Sequence, residues 1–152
     1  IKYKFIDLFA GCGGLEDGFL QSGMYIDVAA VEWLKPQVNT LIQRLKTKWQ
    51  IADASDRVMH FDIQREEELF KGWKDEEFGR GKGLDYFINE ADGIDVIIGG
   101  PPCQAYSVAG RVRDEKIKSC RFLHSSRRLR CRCESEIIHL CCKQPAVSYT
   151  HL

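Results

Sequence analysis

The chain has 152 residues, 44% hydrophobic and 29% charged, which suits one globular domain around one modest core. Its 22 basic and 22 acidic side chains cancel, so no global field draws it to nucleic acid or to an anionic membrane. No apolar run nears the ~18–20 residues of a membrane span, and Asp7 and Glu16 break the N-terminal apolar stretch, so a signal peptide is not expected.

The averages conceal a split. Residues 1–118 hold 16 basic and 20 acidic side chains, net −4, whereas residues 119–152 hold 6 and 2, net +4. Five of the seven cysteines and three of the four histidines lie in those last 34 residues. A body with only Cys12 and Cys103 reads as reduced and cytoplasmic.

In chain order, Lys4–Phe9 (KFIDLF) reads as a buried strand entering the glycine turn AGCGG. Leu15–Gln21 has helical spacing. Tyr25–Val31 (YIDVAAV) reads as a second buried strand, and Lys35–Lys48 as a helix with Pro36 in its first turn and basic residues in its last. Residues 53–62 are ambiguous, a loop with a short strand ending at HFDI. Short helices are predicted over Glu66–Lys71 and Leu84–Asn89, and a third buried strand over Asp95–Ile98, running into GGPPCQ. Alternation of strand and helix predicts a mostly parallel α/β sheet with right-handed crossovers. All three strong strands end in unusual residues: AGCGG, Glu32–Trp33 and GGPPC. Ligands bind at the carboxyl ends of such strands, so three ends converging on one crevice is the main inference.

Each constellation has a plain reading beside a chemical one. In FAGCGG, Gly11, Gly13 and Gly14 let the backbone turn tightly and approach a ligand closely, though an empty glycine turn is as common. Without GxGxxG or GK[ST], a phosphate cradle is disfavoured, and Asp7 just before the turn suits a ligand with a cationic end. Glu32 at a strand end can accept both hydroxyls of a ribose, and Trp33 can stack on adenine, although such a Trp is more often partial core. Asp62 of HFDI can accept from an exocyclic amine; a solvated loop Asp is the commoner case. In GGPPCQ, Pro101 and Pro102 stiffen the loop that carries Cys103. A structural Cys has no need of such a frame, whereas a nucleophilic thiolate does.

DLFAGCGGLEDGF (7–19), VEW (31–33), HFDI (60–63) and DVIIGGPPCQAYSVAGR (95–111) resemble the first four blocks of the DNA cytosine-5 methyltransferases, in the family's order. The likeness covers about residues 3–115. It implies a Rossmann-like S-adenosylmethionine-dependent methyltransferase fold. Phe9, Ala10, Gly11, Cys12, Gly13 and Gly14 match the cofactor loop, Glu32 the ribose acid, Trp33 the residue on the adenine ring, Asp62 the acceptor of the adenine amine with Ile63 beside it, and Pro102 the proline before the nucleophile. Cys103 matches that nucleophile, which adds to C6 of a cytosine flipped from double-stranded DNA. Gln104 and Ser107 are expected to line the loop that closes over the base. The family further suggests a prokaryotic source, a monomer, a cognate restriction endonuclease as genetic partner, and no membrane association.

Departures from the family shape the remaining expectations. The charged stretch REEELFKGWKDEEFGRGKG (65–83) reads as an extra solvated surface segment. The likeness stops near Glu115, before the ENV block and the target-recognition domain, and Ile1 is not an initiator Met. The chain therefore reads as an N-terminal fragment, truncated and inactive alone: residues 1–118 belong to the catalytic domain, and 119–152 form a non-native tail from a frameshift or artefact. The CRC and CC spacing of that tail does not fit common zinc sites, so no metal is expected. The rival readings are an inactive S-adenosylmethionine-binding remnant and a tRNA cytosine-5 methyltransferase of the same fold.

Overall fold

The computed structural model describes residues 2–100 and the backbone of residues 136–137. The runs of Tyr3–Leu8 (β1), Tyr25–Glu32 (β2), Val58–His60 (β3) and Val96–Gly99 (β6) pair in parallel in the order β3-β2-β1-β6. A two-residue strand, Glu136–Ile137 (β7), continues the sheet in parallel beside β6. β2 is buried from Asp27 to Glu32, as expected of a parallel strand covered on both faces. Between the strands lie Gly14–Gln21 (α1), Lys35–Thr47 (α2), Ala54–Arg57 (α3), Glu66–Lys71 (α4), Trp73–Asp75 (β4), Gly79–Gly81 (β5) and Leu84–Glu90 (α5).

Alternation along each strand sends side chains to two cores. Ile6, Leu8, Val31, Met59 and Ile97 pack with Leu69 and Phe70 of α4 and with Leu84, Phe87 and Ile88 of α5. On the opposite face, Phe5, Val96 and Ile98 meet Leu15 and Phe19 of α1. Ala30 and Val58 meet Val38, Leu41 and Leu45 of α2. The result is three layers, helices on both faces of a parallel sheet, which is the Rossmann-like arrangement expected from the sequence. The ambiguous 53–62 region resolves into α3 followed directly by β3. Among the described residues no helix is long and apolar enough to cross a membrane.

The charged stretch 65–83 differs from its expected character. Its charged residues are largely exposed, yet Leu69, Phe70 and Trp73 are buried in the main core. β4 and β5 form an antiparallel hairpin, and the Trp73 ring stacks on Phe61 with centroids 4.0 Å apart. Gly81 makes room for it: a Cβ there would lie 2.2 Å from the indole. Charge density conceals these anchors because they are few among many charged neighbours.

Trp73→Ala is accordingly expected to cost about 3–5 kcal/mol, the scale for truncating a buried aromatic. Glu76→Ala, on the exposed turn of the same hairpin, should stay within about 0.5 kcal/mol. Urea midpoints of the two variants check this, and equal shifts would return the segment to the solvent.

Candidate active site

The carboxyl ends of β1, β2 and β3 are adjacent, with Leu8 opposite Val31 and Glu32 opposite His60. After β1 the chain turns sharply. Phe9 adopts φ 67°, a left-handed conformation uncommon for an aromatic residue. The Ala10 N–H then donates to Val31 O at 3.0 Å, and the Gly13 N–H to Ala10 O at 2.9 Å. Gly11 (φ 57°) and Gly13 (φ 81°) share that left-handed region, where glycine carries no steric penalty. Their surroundings separate their roles. A Cβ on Gly13 would lie 2.5 Å from Leu41 Cδ1, so Gly13 lets α1 seat against α2. A Cβ on Gly11 would meet nothing within 4 Å, so the Gly11 backbone faces open space. Gly14 opens α1 and is exposed, as is the free thiol of Cys12, while Ala10 is buried against α2.

Glu32 ties this loop to β2. Its Oε2 accepts from the Gly11 N–H and its Oε1 from the Leu34 N–H, both at 2.8 Å. A carboxylate has about four acceptor sites, so each oxygen retains capacity for a further donor. Beyond it, Trp33 is 59% exposed and Leu34 52%. Trp33 is therefore not core, and its indole lies open at the strand end beside the Glu32 clasp.

On the neighbouring strand, the Phe61 N–H donates to Glu32 O at 3.2 Å. Asp62 Oδ1 accepts from the Gln64 N–H at 2.9 Å, an Asx turn that fixes the side chain and leaves Oδ2 for another donor. Ile63 is 7% exposed and packs in the main core; it anchors the turn from below. At the end of β6, Gly99 is buried, and a Cβ there would lie 2.2 Å from Leu8 O. Only glycine lets β6 approach β1 so closely at this edge. Pro102, Cys103, Gln104 and Ser107 lie outside the described residues, as does the cysteine-rich tail apart from the backbone of 136–137.

Beneath the glycine loop lies a feature that motif reading missed. Asp7, Glu16 and Asp27 are essentially fully buried, and none of their carboxyl oxygens has a hydrogen-bond partner. Burial, reinforced by the negative charges of Asp27 and Glu32, pushes the Asp7 pKa up to about 8. Burial raises Glu16 as well, with Asp27, Asp7 and Asp17 adding to it and Arg44 opposing. Asp27 is raised by burial, against Arg57 and with Asp53. The expectation that Asp7 presents a negative charge to a ligand is thus corrected: at neutral pH it is mostly protonated. A signal was available in the sequence, since Asp7 and Asp27 fall inside apolar strand runs.

The sign of the pH dependence follows from linkage. Each folded-state pKa is raised above its unfolded value, so the neutral carboxyls stabilise the fold fully below about pH 4, and this is lost as pH rises through about 8. Asp7→Asn, nearly isosteric and never charged, should raise the urea midpoint most at pH 9 and least near pH 4. A midpoint for the unsubstituted chain that is flat from pH 5 to pH 9 would contradict the buried-acid account.

Comparison with known proteins identifies the family. The family model for C-5 cytosine-specific DNA methylase matches residues 3–129. Type II methyltransferase M.HgiDI of Herpetosiphon aurantiacus is 38% identical over 112 residues, covering 74% of this chain and 28% of that protein. M.HgiGI of the same organism is 36% identical, covering 74% of this chain and 68% of that protein. DNA (cytosine-5-)-methyltransferase M.ApeKI of Aeropyrum pernix is 35% identical over 114 residues, with 20% of that protein covered. A solved Spodoptera frugiperda DNMT2 mutant aligns over 75% of this chain and 27% of that one, at 20% identity and a TM-score of 0.43. The chain thus spans little more than a quarter of the length of M.HgiDI. With the family model matched over most of its residues, the chain belongs to the C-5 cytosine-specific DNA methylases.

Proposed function

We propose that the protein transfers a methyl group from S-adenosyl-L-methionine to C5 of cytosine in double-stranded DNA. The observation that carries the cofactor half is the exposed Trp33 indole beside the Glu32 carboxylate, which is held by two backbone N–H groups. The residues fit the cofactor's parts. Gly11 leaves space for close backbone approach, with Phe9, Ala10, Cys12, Gly13 and Gly14 shaping the loop. Glu32 has acceptor capacity for ribose hydroxyls, Trp33 offers an aromatic face for adenine, and Asp62 Oδ2, beside the buried Ile63, can accept from the adenine amine. When bound, S-adenosylmethionine supplies a methyl group on a positively charged sulfonium.

The chain's own chemistry centres on Cys103. Its thiolate adds to C6 of the target cytosine, forming an Sγ–C6 bond and placing electron density on C5, the atom that is methylated. Loss of the C5 proton and cleavage of the Sγ–C6 bond restore the aromatic ring and free the thiolate. Neither carbon is reachable in the stacked duplex, so the base must leave it. Pro102 stiffens the loop, and Gln104 and Ser107 line it toward the backbone or sugar. Relatives named type II methyltransferases support a place beside a cognate restriction endonuclease. DNA is preferred over tRNA as substrate because M.ApeKI and the matching family model are both named for DNA.

The binding half is tested by calorimetry with S-adenosylhomocysteine. Glu32→Ala should weaken binding by about 1.5–3 kcal/mol, the scale for charge-assisted hydrogen bonds; an unchanged dissociation constant would remove the assigned role. The catalytic half is tested with tritiated methyl transfer by the whole protein to unmethylated DNA and, in parallel, to tRNA. Incorporation into DNA should vanish in Cys103→Ser, and a duplex carrying 5-fluorocytosine should trap the wild type but not that variant. Equal trapping of both would show that another atom attacks.

A further inference from the structure

The 65–83 segment, absorbed by none of the chemistry above, attaches to the turn that carries Asp62. Arg65 makes the attachment. Its backbone N–H donates to Asp62 O at 3.1 Å. Its guanidinium lies 4.8 Å from the Phe61 ring centroid and 5.7 Å from that of Phe78. Nη1 donates to Asp75 Oδ2 at 2.7 Å and Nε to Glu68 Oε1 at 3.0 Å, while Nη2 pairs with Glu68 Oε2. Asp75 is itself held, because its Oδ1 accepts from the Phe78 N–H at 2.6 Å. Phe78 in turn packs on Phe61 and His60, with centroids 5.2 Å and 5.0 Å away. One planar fork thus joins α4, the β4–β5 hairpin and the residues on both sides of Asp62.

We propose that Arg65 is a positioning residue for adenine recognition: it clamps the Phe61–Arg65 turn against the hairpin, so that Asp62 keeps one carboxylate orientation toward the adenine amine. The proposal rests on the reading of Asp62 given above. An isolated surface ion pair contributes little, but this one combines a two-toothed carboxylate contact, a second carboxylate and two aromatic faces. Lysine, a point charge on a flexible stem, cannot reproduce that geometry. Phe61 and Ile63 seat the turn in the main core, and the Arg65 fork ties its far end to the hairpin through Asp75.

Two measurements on the full chain separate positioning from general stability. Hydrogen exchange should show Arg65→Ala and Arg65→Lys speeding exchange at the Gln64 and Arg65 amides, while β1 and β2 keep their protection. Unchanged exchange in the turn, or equal loosening of the whole sheet, would overturn the proposal. Binding is then compared for S-adenosyl-L-homocysteine and S-inosyl-L-homocysteine, which carries an exocyclic C6 carbonyl oxygen in place of the amine. Arg65→Ala should weaken the adenosyl ligand about tenfold, the scale of one hydrogen bond, and the inosyl ligand by no more than about twofold. Equal weakening of both would overturn the link to the amine. Asp62→Ala should show the same selective loss; if it shows none, the Asp62 reading has failed, whereas the exchange data still report whether Arg65 fixes the turn.

Discussion

The two hydrogen bonds accepted by Glu32 are the constraint on which the carboxyl edge depends. Gly11 and Leu34 are separated by 23 positions in the chain, and their N–H groups meet on one carboxylate. Both donors are backbone, so the clasp survives any rotamer change in the loop. Hydrogen bonds to an ionised acceptor are about twice as strong as neutral ones, and Glu32 is only 9% exposed. The clasp sets the position of the glycine loop relative to β2 and, through Phe61 N–H and Glu32 O, relative to the turn after β3. A cofactor bridging these strand ends meets a site whose separations are already set, which reduces the ordering cost of binding.

The three buried acids solve the same electrostatic problem differently. Glu32 has a backbone N–H donor on each carboxylate oxygen. Asp7, Glu16 and Asp27 have none, so a proton takes the donor's place, as expected of a carboxyl in an apolar site. Arg44 lies close enough to oppose the shift of Glu16, but its Nη1 donates to Gly13 O at 3.4 Å, not to the carboxyl. The guanidinium thus braces the backbone at the start of α1 and leaves the acids to their protons. The fold tolerates these unsatisfied groups directly under the glycine loop, a local cost of the kind that clusters at functional regions.

Much of this was legible in the sequence because parallel strands advertise themselves. YIDVAAV is almost wholly apolar, and its partner KFIDLF runs into the glycine turn AGCGG, so β1, β2 and the turn that leads from β1 into the helix could be placed from the sequence. What stayed hidden depends on long-range contact. Nothing local says that Glu32 bonds to Gly11, or that Gly99 must lack a Cβ to pass Leu8 O. The charged 65–83 stretch misled for a related reason: composition averages over residues, whereas burial is decided one side chain at a time. Trp73 and Phe70 were visible as letters, but their partner Phe61 lies before the segment, inside the HFDI motif.

That arrangement divides the site into halves of different stiffness. The β1–β2 half is braced by two backbone donors on the buried Glu32 carboxylate and by Gly13 packed on the buried Leu41. The β3 half depends on side chains: Phe61 stacked on Trp73, and the Arg65 fork on Glu68 and Asp75. Side-chain contacts of that kind open at lower free energy than the core of a parallel sheet. Adjustment is therefore easier at the turn that carries Asp62 than at the Glu32 clasp on Gly11 and Leu34. Because the 65–83 segment meets this edge through Phe78 on His60 and Phe61, Trp73 on Phe61, and the Arg65 fork on Glu68 and Asp75, a change within the segment reaches the site first at the turn that carries Asp62.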